Sequence, residues 1–175
     1  LLTAESNTFS HNRDFIINQS QKGFYRVVYD RSFLSQIEDL IVTGKLNTET
    51  RLGILSDSFE TSKAGYQSII NTLNLIESYK NEDNAAVWDV LAAGIATIRS
   101  VMDDEELREN MKPYIRNLTA KQLKRLGWEK RENEAHFDSL LRPIILAMAA
   151  AADDPKITKK CLDLFSHMAA SNVLN

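Results

Sequence analysis

Three histidines, one cysteine and a few paired acids are what this chain offers for metal or nucleophilic chemistry. None of His11, His136 and His167 is followed by Glu, and no two lie three or four residues apart, so a helical zinc pair is absent. They read as surface or capping residues. Cys161 sits among Leu162, Leu164 and Phe165 and reads as a buried, inert thiol. The pairs Asp103/Asp104, Glu105/Glu106 and Asp153/Asp154 imitate a metal site, but each flanks a helix start or end, where carboxylates serve as caps. The basic run "KQLKR" at residues 121–125 is too short and too poor in aromatics for nucleic acid and reads as a solvated face. Trp88 and Trp128 read as core or turn-packing residues. No G-x-S-x-G, P-loop or G-x-G-x-x-G motif occurs.

Composition frames this lack of chemistry. The chain has 175 residues, 43% hydrophobic and 26% charged, ordinary for a water-soluble globular protein and long enough to bury a core. A net charge of −3 argues against nucleic acid as the main partner. A single cysteine allows no intrachain disulfide and fits a reducing compartment such as the cytoplasm. The longest apolar run, near residues 144–152, falls far short of the roughly 20 residues a membrane span needs. The chain starts at Leu1 rather than Met, and the expectation is a piece of a longer polypeptide.

Two periodicities divide the chain. Residues 15–18, "FIIN", and 24–29, "FYRVVY", are rich in aromatic and β-branched residues around a polar loop ending in Gly23, the signature of a β-hairpin. An isolated hairpin is marginal in water, so these strands are expected to belong to a larger sheet. From Asp30, a candidate N-cap, the period becomes helical. Phe33, Leu34, Ile37, Leu40 and Ile41 form one stripe, ended by Gly44. Asn47 or Thr48 caps the next, with Leu52, Leu55 and Phe59, stopped by Gly65. A third stripe runs from Tyr66 through Ile69, Ile70, Leu73 and Ile76 to Tyr79. Residues 85–102 are apolar around most of the circumference, which predicts an inner helix buried on all sides. Residues 103–106 open another helix, a shorter segment covers 119–126, and helices follow at about 138–152 and 155–170. Pro143 is placed in the first turn of a helix starting at Asp138 or Ser139, where its missing N–H costs little. Helix starts recur every ~18 residues, so pairs recur every ~36–40, the spacing of HEAT and armadillo hairpins. The expected fold is mainly α, an irregular α-α superhelix of such hairpins preceded by a short β-hairpin.

Against this background, several stretches resemble the C-terminal region of M1-family zinc aminopeptidases. "GFYRVVYD" at residues 23–30 resembles the end of that family's β-sandwich, where the sheet passes into a helical domain. "RLGILSDSFETSKAG" at 51–65 resembles its Arg-x5-Asp-x-Phe-x5-Gly helix. "ESYKNEDNAAVW" at 77–88 resembles its helix-turn-helix with a Glu before a Trp. "LGWEKRENEAHFDSLLRPIILAMAAAADDP" at 126–155 resembles its Leu-Gly-Trp and Leu-Leu-Arg segments. The Glu-x-His ahead of Leu-Leu-Arg leans toward the puromycin-sensitive and tricorn-interacting-factor branch.

The resemblance implies two parts: residues 1–30 as the end of a β-sandwich domain and 31–175 as the first part of a helical C-terminal domain. It implies a parent enzyme that removes N-terminal residues from peptides with zinc. His-Glu-x-x-His, the downstream Glu and Gly-x-Met-Glu-Asn do not occur here, so no catalytic residue, metal ligand or cofactor is assigned to this chain, which alone is expected to be inactive. "RENMK" at 108–112 only echoes the last of these motifs. Zinc and the peptide belong to the intact enzyme, and the implied partners are its catalytic and β-sandwich domains, with no nucleic acid and no membrane. The helices would cap the active site and shape the peptide chamber. The motif positions Tyr25, Arg26, Tyr29, Asp30, Arg51, Asp57, Phe59, Gly65, Trp88, Gly127, Trp128 and Arg142 are assigned structural roles. Arg26, Asp57 and Arg142 lie in apolar surroundings or off the apolar stripe, and each needs a partner if buried. Ion pairing is the plain reading and contact with a peptide the sharper one. The competing class is a stand-alone helical-repeat scaffold that binds a partner.

Overall fold

In the computed structural model the described residues are 15–170; His11 and the chain ends lie outside them. Seven α-helices occur among the described residues: α1 (Arg31–Val42), α2 (Thr48–Lys63), α3 (Ile69–Glu77), α4 (Ala85–Ser100), α5 (Glu105–Leu126), α6 (His136–Ala151) and α7 (Pro155–Ala170). The protein is mainly α. None of the described helices is long and apolar enough to cross a membrane.

Most helices begin where a short polar side chain takes an orphan backbone N–H. Asp30 accepts from the Phe33 N–H at 2.8 Å, Asn47 from Thr50 at 3.0 Å, Asn84 from Ala86 at 2.9 Å and Asp104 from Glu106 at 2.8 Å. Asp154 does the same for Lys156 and Ile157 ahead of α7. Asp104 and Asp154, from the acidic pairs, are therefore caps, while Asp153 pairs with Lys112 at 2.7 Å. The chain leaves α2 through Gly65 (φ 79°) and α5 through Gly127 (φ 66°), where a side chain would be strained.

The helices alternate between two layers. α2, α4 and α6 pack side by side in one; α1, α3 with the 3-10 turn Ser78–Asn81, and α5 form the other, and α7 packs on α6. The core between them holds Ile37, Leu55, Leu75, Ile76, Tyr79, Trp88, Leu91, Ile115, Leu118, Leu141 and Ile145, each at most 2% exposed.

Among the described residues no β-ladder joins 15–18 to 24–29, where the sequence pattern predicts a hairpin as part of a larger sheet. The two segments flank a 3-10 turn, Gln19–Gln21, and are tied instead by side chains: the Tyr29 hydroxyl donates to the Ile17 carbonyl and accepts from its N–H. α4 is not buried all round. Val87, Trp88, Leu91, Ile95 and Ile98 face the core, whereas Ala93, Ala96 and Thr97 are exposed, because α4 packs on α2 and α6 along one side only. The third stripe is buried only in its second half; Tyr66, Ile69 and Ile70 are exposed. Residues 119–126 are not a separate segment but the end of a 22-residue helix that runs through Pro113. α6 starts at His136, so Pro143 lies in its interior rather than its first turn. Both prolines are exposed, so the turn that each opens faces water, and flanking core residues such as Ile115 and Leu141 hold the helix together across it. Cys161 is exposed rather than buried.

Candidate functional site

Three arginine–carboxylate knots organise the polar interior, and the sequence motifs converge on them. The first joins the α1–α2 loop, α2, α4 and α5 through Glu82. Arg51 grips its carboxylate with Nε (2.6 Å) and Nη2 (2.9 Å) and donates Nη1 to the Leu46 carbonyl. The same carboxylate accepts the backbone N–H groups of Asp83 and Asn84, which open α4. The Glu82 carbonyl accepts both the Trp88 indole N–H (2.8 Å) and Gln122 Nε2 (2.6 Å). The Tyr79 hydroxyl donates to the Arg51 carbonyl at 2.7 Å. Glu82, Trp88 and Gln122 are buried, so no water substitutes for these bonds and each polar group is answered by another. The carboxylate beside it pushes the Arg51 guanidinium pKa up, and burial raises that of the Tyr79 phenol.

The second knot fastens the N-terminal segment to α2. Asp57 is 4% exposed; its Oδ1 takes Arg26 Nη1 at 2.9 Å and its Oδ2 takes the Val27 N–H at 3.1 Å. Arg26 also donates to Ser56 Oγ at 3.0 Å. Tyr29 stacks on Phe33 with ring centroids 5.5 Å apart, and burial pushes its phenol up to about 12. Asp30, exposed at the start of α1, is held below the usual carboxylate range by the Ser32 hydroxyl and the Phe33 N–H.

The third knot closes the α5–α6 corner. Both Arg142 Nη atoms donate to the Glu134 carboxylate, and Nη2 also reaches the Leu126 carbonyl at 3.2 Å. The guanidinium holds the Glu134 carboxyl below its ordinary value. Beside it Arg125 pairs with Asp138 at 2.6 Å, so the basic run is tied down rather than simply solvated; Lys121 likewise donates to Asn81 Oδ1.

Between α2 and α4, at the start of α3, lies an open groove of about 610 Å³. Phe59, Val90, Gly94, Ile98 and Met102 line it, with Ser56, Glu60 and Lys63 among the polar groups. Gly94 is where the Phe59 ring rests; a Cβ there would collide with it. Among the described residues no three His, Cys, Asp or Glu side chains are grouped to hold a metal ion. His136 and His167 are exposed and lie on different helices.

The motif positions therefore fall into separate clusters rather than one constellation. Arg51 and Trp88 share Glu82; Arg26 and Asp57 bind each other; Phe59 lines the groove; Arg142 reaches back to the residue before Gly127. Gly65 and Gly127 turn the chain, Trp128 is half-buried after Gly127, and Tyr25 is exposed with its carbonyl held by Asn18 Nδ2. The sequence motifs contained Glu82 and Glu134 without singling them out as partners. A Glu six residues before a buried Trp, and a Glu eight residues before a buried Arg, are the signals that mark them.

The described residues form a helical, two-layer domain whose buried acids, Asp57 and Glu82, are held by arginines, the build of a packing module. The sequence profile of the ERAP1-like C-terminal domain matches residues 15–175. The chain is 28% identical over 160 residues to aminopeptidase 2 of Candida albicans, covering 90% of this chain and 17% of that protein. It is 33% identical over 132 residues to aminopeptidase M1-B of rice (Oryza sativa subsp. japonica), covering 74% and 15%. It is 30% identical over 156 residues to aminopeptidase M1 of Arabidopsis thaliana, covering 88% and 18%. The chain belongs to the family of ERAP1-like C-terminal domains, a C-terminal region of M1 aminopeptidases. It spans only 15–18% of the length of these three relatives.

Proposed function

We propose that this chain serves as part of the helical cap of a zinc-dependent M1 aminopeptidase that removes N-terminal residues from peptides. The observation that carries the reading is the match of residues 15–175 to the ERAP1-like C-terminal domain, together with relatives that are aminopeptidases. Zinc does not fit the residues present: Asp57, Glu82 and Glu134 are each held by an arginine, and no ligand set gathers among the described residues. The metal and the bond-breaking groups would then come from a catalytic domain elsewhere in the longer polypeptide, and no step of the reaction is routed through this chain. Its own contribution is a surface that excludes water and bounds the chamber that admits peptides, with partners in the catalytic and β-sandwich domains. The stacked helices act as a helical-repeat shell. A cytoplasmic setting accords with the lone cysteine.

The test compares the longer polypeptide with this chain alone. The longer polypeptide releases aminocoumarin from aminoacyl-aminocoumarins, loses that activity to a chelator and regains it with zinc. The chain alone binds no stoichiometric zinc and releases none. Zinc-dependent turnover by the pure chain would overturn the reading. The apolar groove between α2 and α4 favours a second reading, a scaffold that docks a partner without catalysis. An inactive longer polypeptide that still captures a binding partner would select it.

A further inference from the structure

We propose that residues 18–27 form a clip that can leave α2 as a unit while the helices stay folded, with Asp57 as its catch. Three observations point the same way. First, the track on α2 is polar or side-chain-free. Thr50, Gly53 and Asp57 lie on one helical face by their spacing. Thr50 Oγ1 takes the Ser20 N–H at 3.0 Å, and Asp57 takes Arg26 and the Val27 N–H. Gly53 leaves room for Gln21, whose side-chain amide a Cβ there would strike.

Second, the segment brings little apolar surface to the contact. Phe24 is fully exposed, Tyr25 and Val28 are about half exposed, and the Arg26 side chain is 51% exposed. Directional bonds, not burial, hold it, and such contacts break without opening a core.

Third, the turn is strained. Asn18, Ser20 and Gln21 have φ values of 57°, 58° and 54°, a left-handed region that non-glycine residues avoid. The Asn18 side chain steadies it by accepting the Gly23 N–H and donating to the Gly23 and Tyr25 carbonyls. Bonds to α2 also keep the strained conformation in place, so losing them lets it relax.

Because Arg26 also donates to Ser56, which lines the groove, leaving the catch also changes the groove wall. A clip of this kind is a joint for a moving cap. That use rests on the proposed function above; the clip itself does not, and the experiment reads the clip alone.

The test is amide hydrogen exchange by NMR on the full chain, comparing the parent with Arg26→Ala and Asp57→Asn. Expected in both variants is a shared acceleration of at least about tenfold at Ser20, Gly23 and Val27, with α2 amides such as Leu55 and Phe59 unchanged. Arg26→Ala alters a half-exposed side chain and keeps the test valid should Asp57→Asn fail to fold. Acceleration at Val27 alone would show independent contacts rather than a unit. Equal acceleration in α2 would make the segment part of the domain's global fold, and unchanged exchange would remove Asp57 as the catch. Any of these overturns the proposal.

Discussion

The Glu82 knot and the Asp57 knot use the same chemistry, an arginine on a carboxylate, in opposite settings. Arg51 is 16% exposed and Glu82 3% at the side chain, while Arg26 is 51% exposed and Asp57 6%. Around Glu82 the knot is enclosed by α2, α4 and α5, and the one acid serves a guanidinium and the two N–H groups just ahead of α4. Around Asp57 the neighbour on one side is a segment whose aromatic residue Phe24 points into water. A pair buried on both sides is costly to break because the remaining charge has no water to turn to; a pair with one member half in water costs less. The comparison teaches that position, not charge, divides these knots into one that fixes the fold and one that fixes a contact.

The sharpest way to break the comparison is Glu82→Ala. It strands a mostly buried guanidinium and frees two helix-opening N–H groups, so the expected loss is about 3–5 kcal/mol in urea unfolding. Arg51→Ala should cost a similar amount, and the double variant less than the sum. Additive losses would mean that the two residues do not act as one unit.

The Glu134–Arg142 knot sharpens the comparison through pH. The folded-state pKa of Glu134 lies below its ordinary 4.5, so its stabilisation is complete above that value and is lost as pH falls through the depressed one. Unfolding midpoints measured downward from pH 6 should therefore fall more steeply for the parent than for Glu134→Gln. Parallel curves would remove the linkage.

How much of this was legible follows from where the physics is local. Asp30, Asn47 and the glycine stops were readable because a cap or a left-handed turn is decided by a few neighbouring residues. The mainly α class was readable from period alone. The start of α6 was not, because Ala135 offers no capping side chain and the segment before the helix is anchored by Glu134 reaching Arg142 eight residues on. The open side of α4 was invisible for a different reason: alanine and glycine look apolar in sequence whether they face a core or a groove. The link between residues 15–29 and α2 depends on Asp57 some thirty residues away, and alternation within 24–29 carries no trace of it. Of the site, Arg26, Arg142 and Asp57 stood out as needing partners, whereas the Glu before Trp88 and the Glu-x-His at Glu134 were noted only as motif letters, because nothing local in the sequence says which arginine an acid in a loop will meet.

Tyr29 sharpens the comparison from the alkaline side. Burial raises its folded-state pKa from 10.0 to about 12, so its contribution is complete below pH 10 and is lost as pH rises toward 12. A difference titration at 295 nm should show a phenol near 12 that Tyr29→Phe removes, whereas a phenol near 10 would mean that the ring is not held on Phe33 in solution.

The smallest expected effect belongs to Arg26→Ala. Its head group is half in water, but deleting it leaves the Asp57 carboxylate, 6% exposed, with the Val27 N–H alone, so the expected loss is about 1–2 kcal/mol, below that of Glu82→Ala. Asp57 would still accept the Val27 N–H, and α2 would keep its core residues Ile54 and Leu55. The urea midpoint of Arg26→Ala should then fall by clearly less than that of Glu82→Ala. A loss as large as that of Glu82→Ala would mean that the N-terminal segment is built into the cooperative unit, and the division between a knot that fixes the fold and one that fixes a contact would not stand.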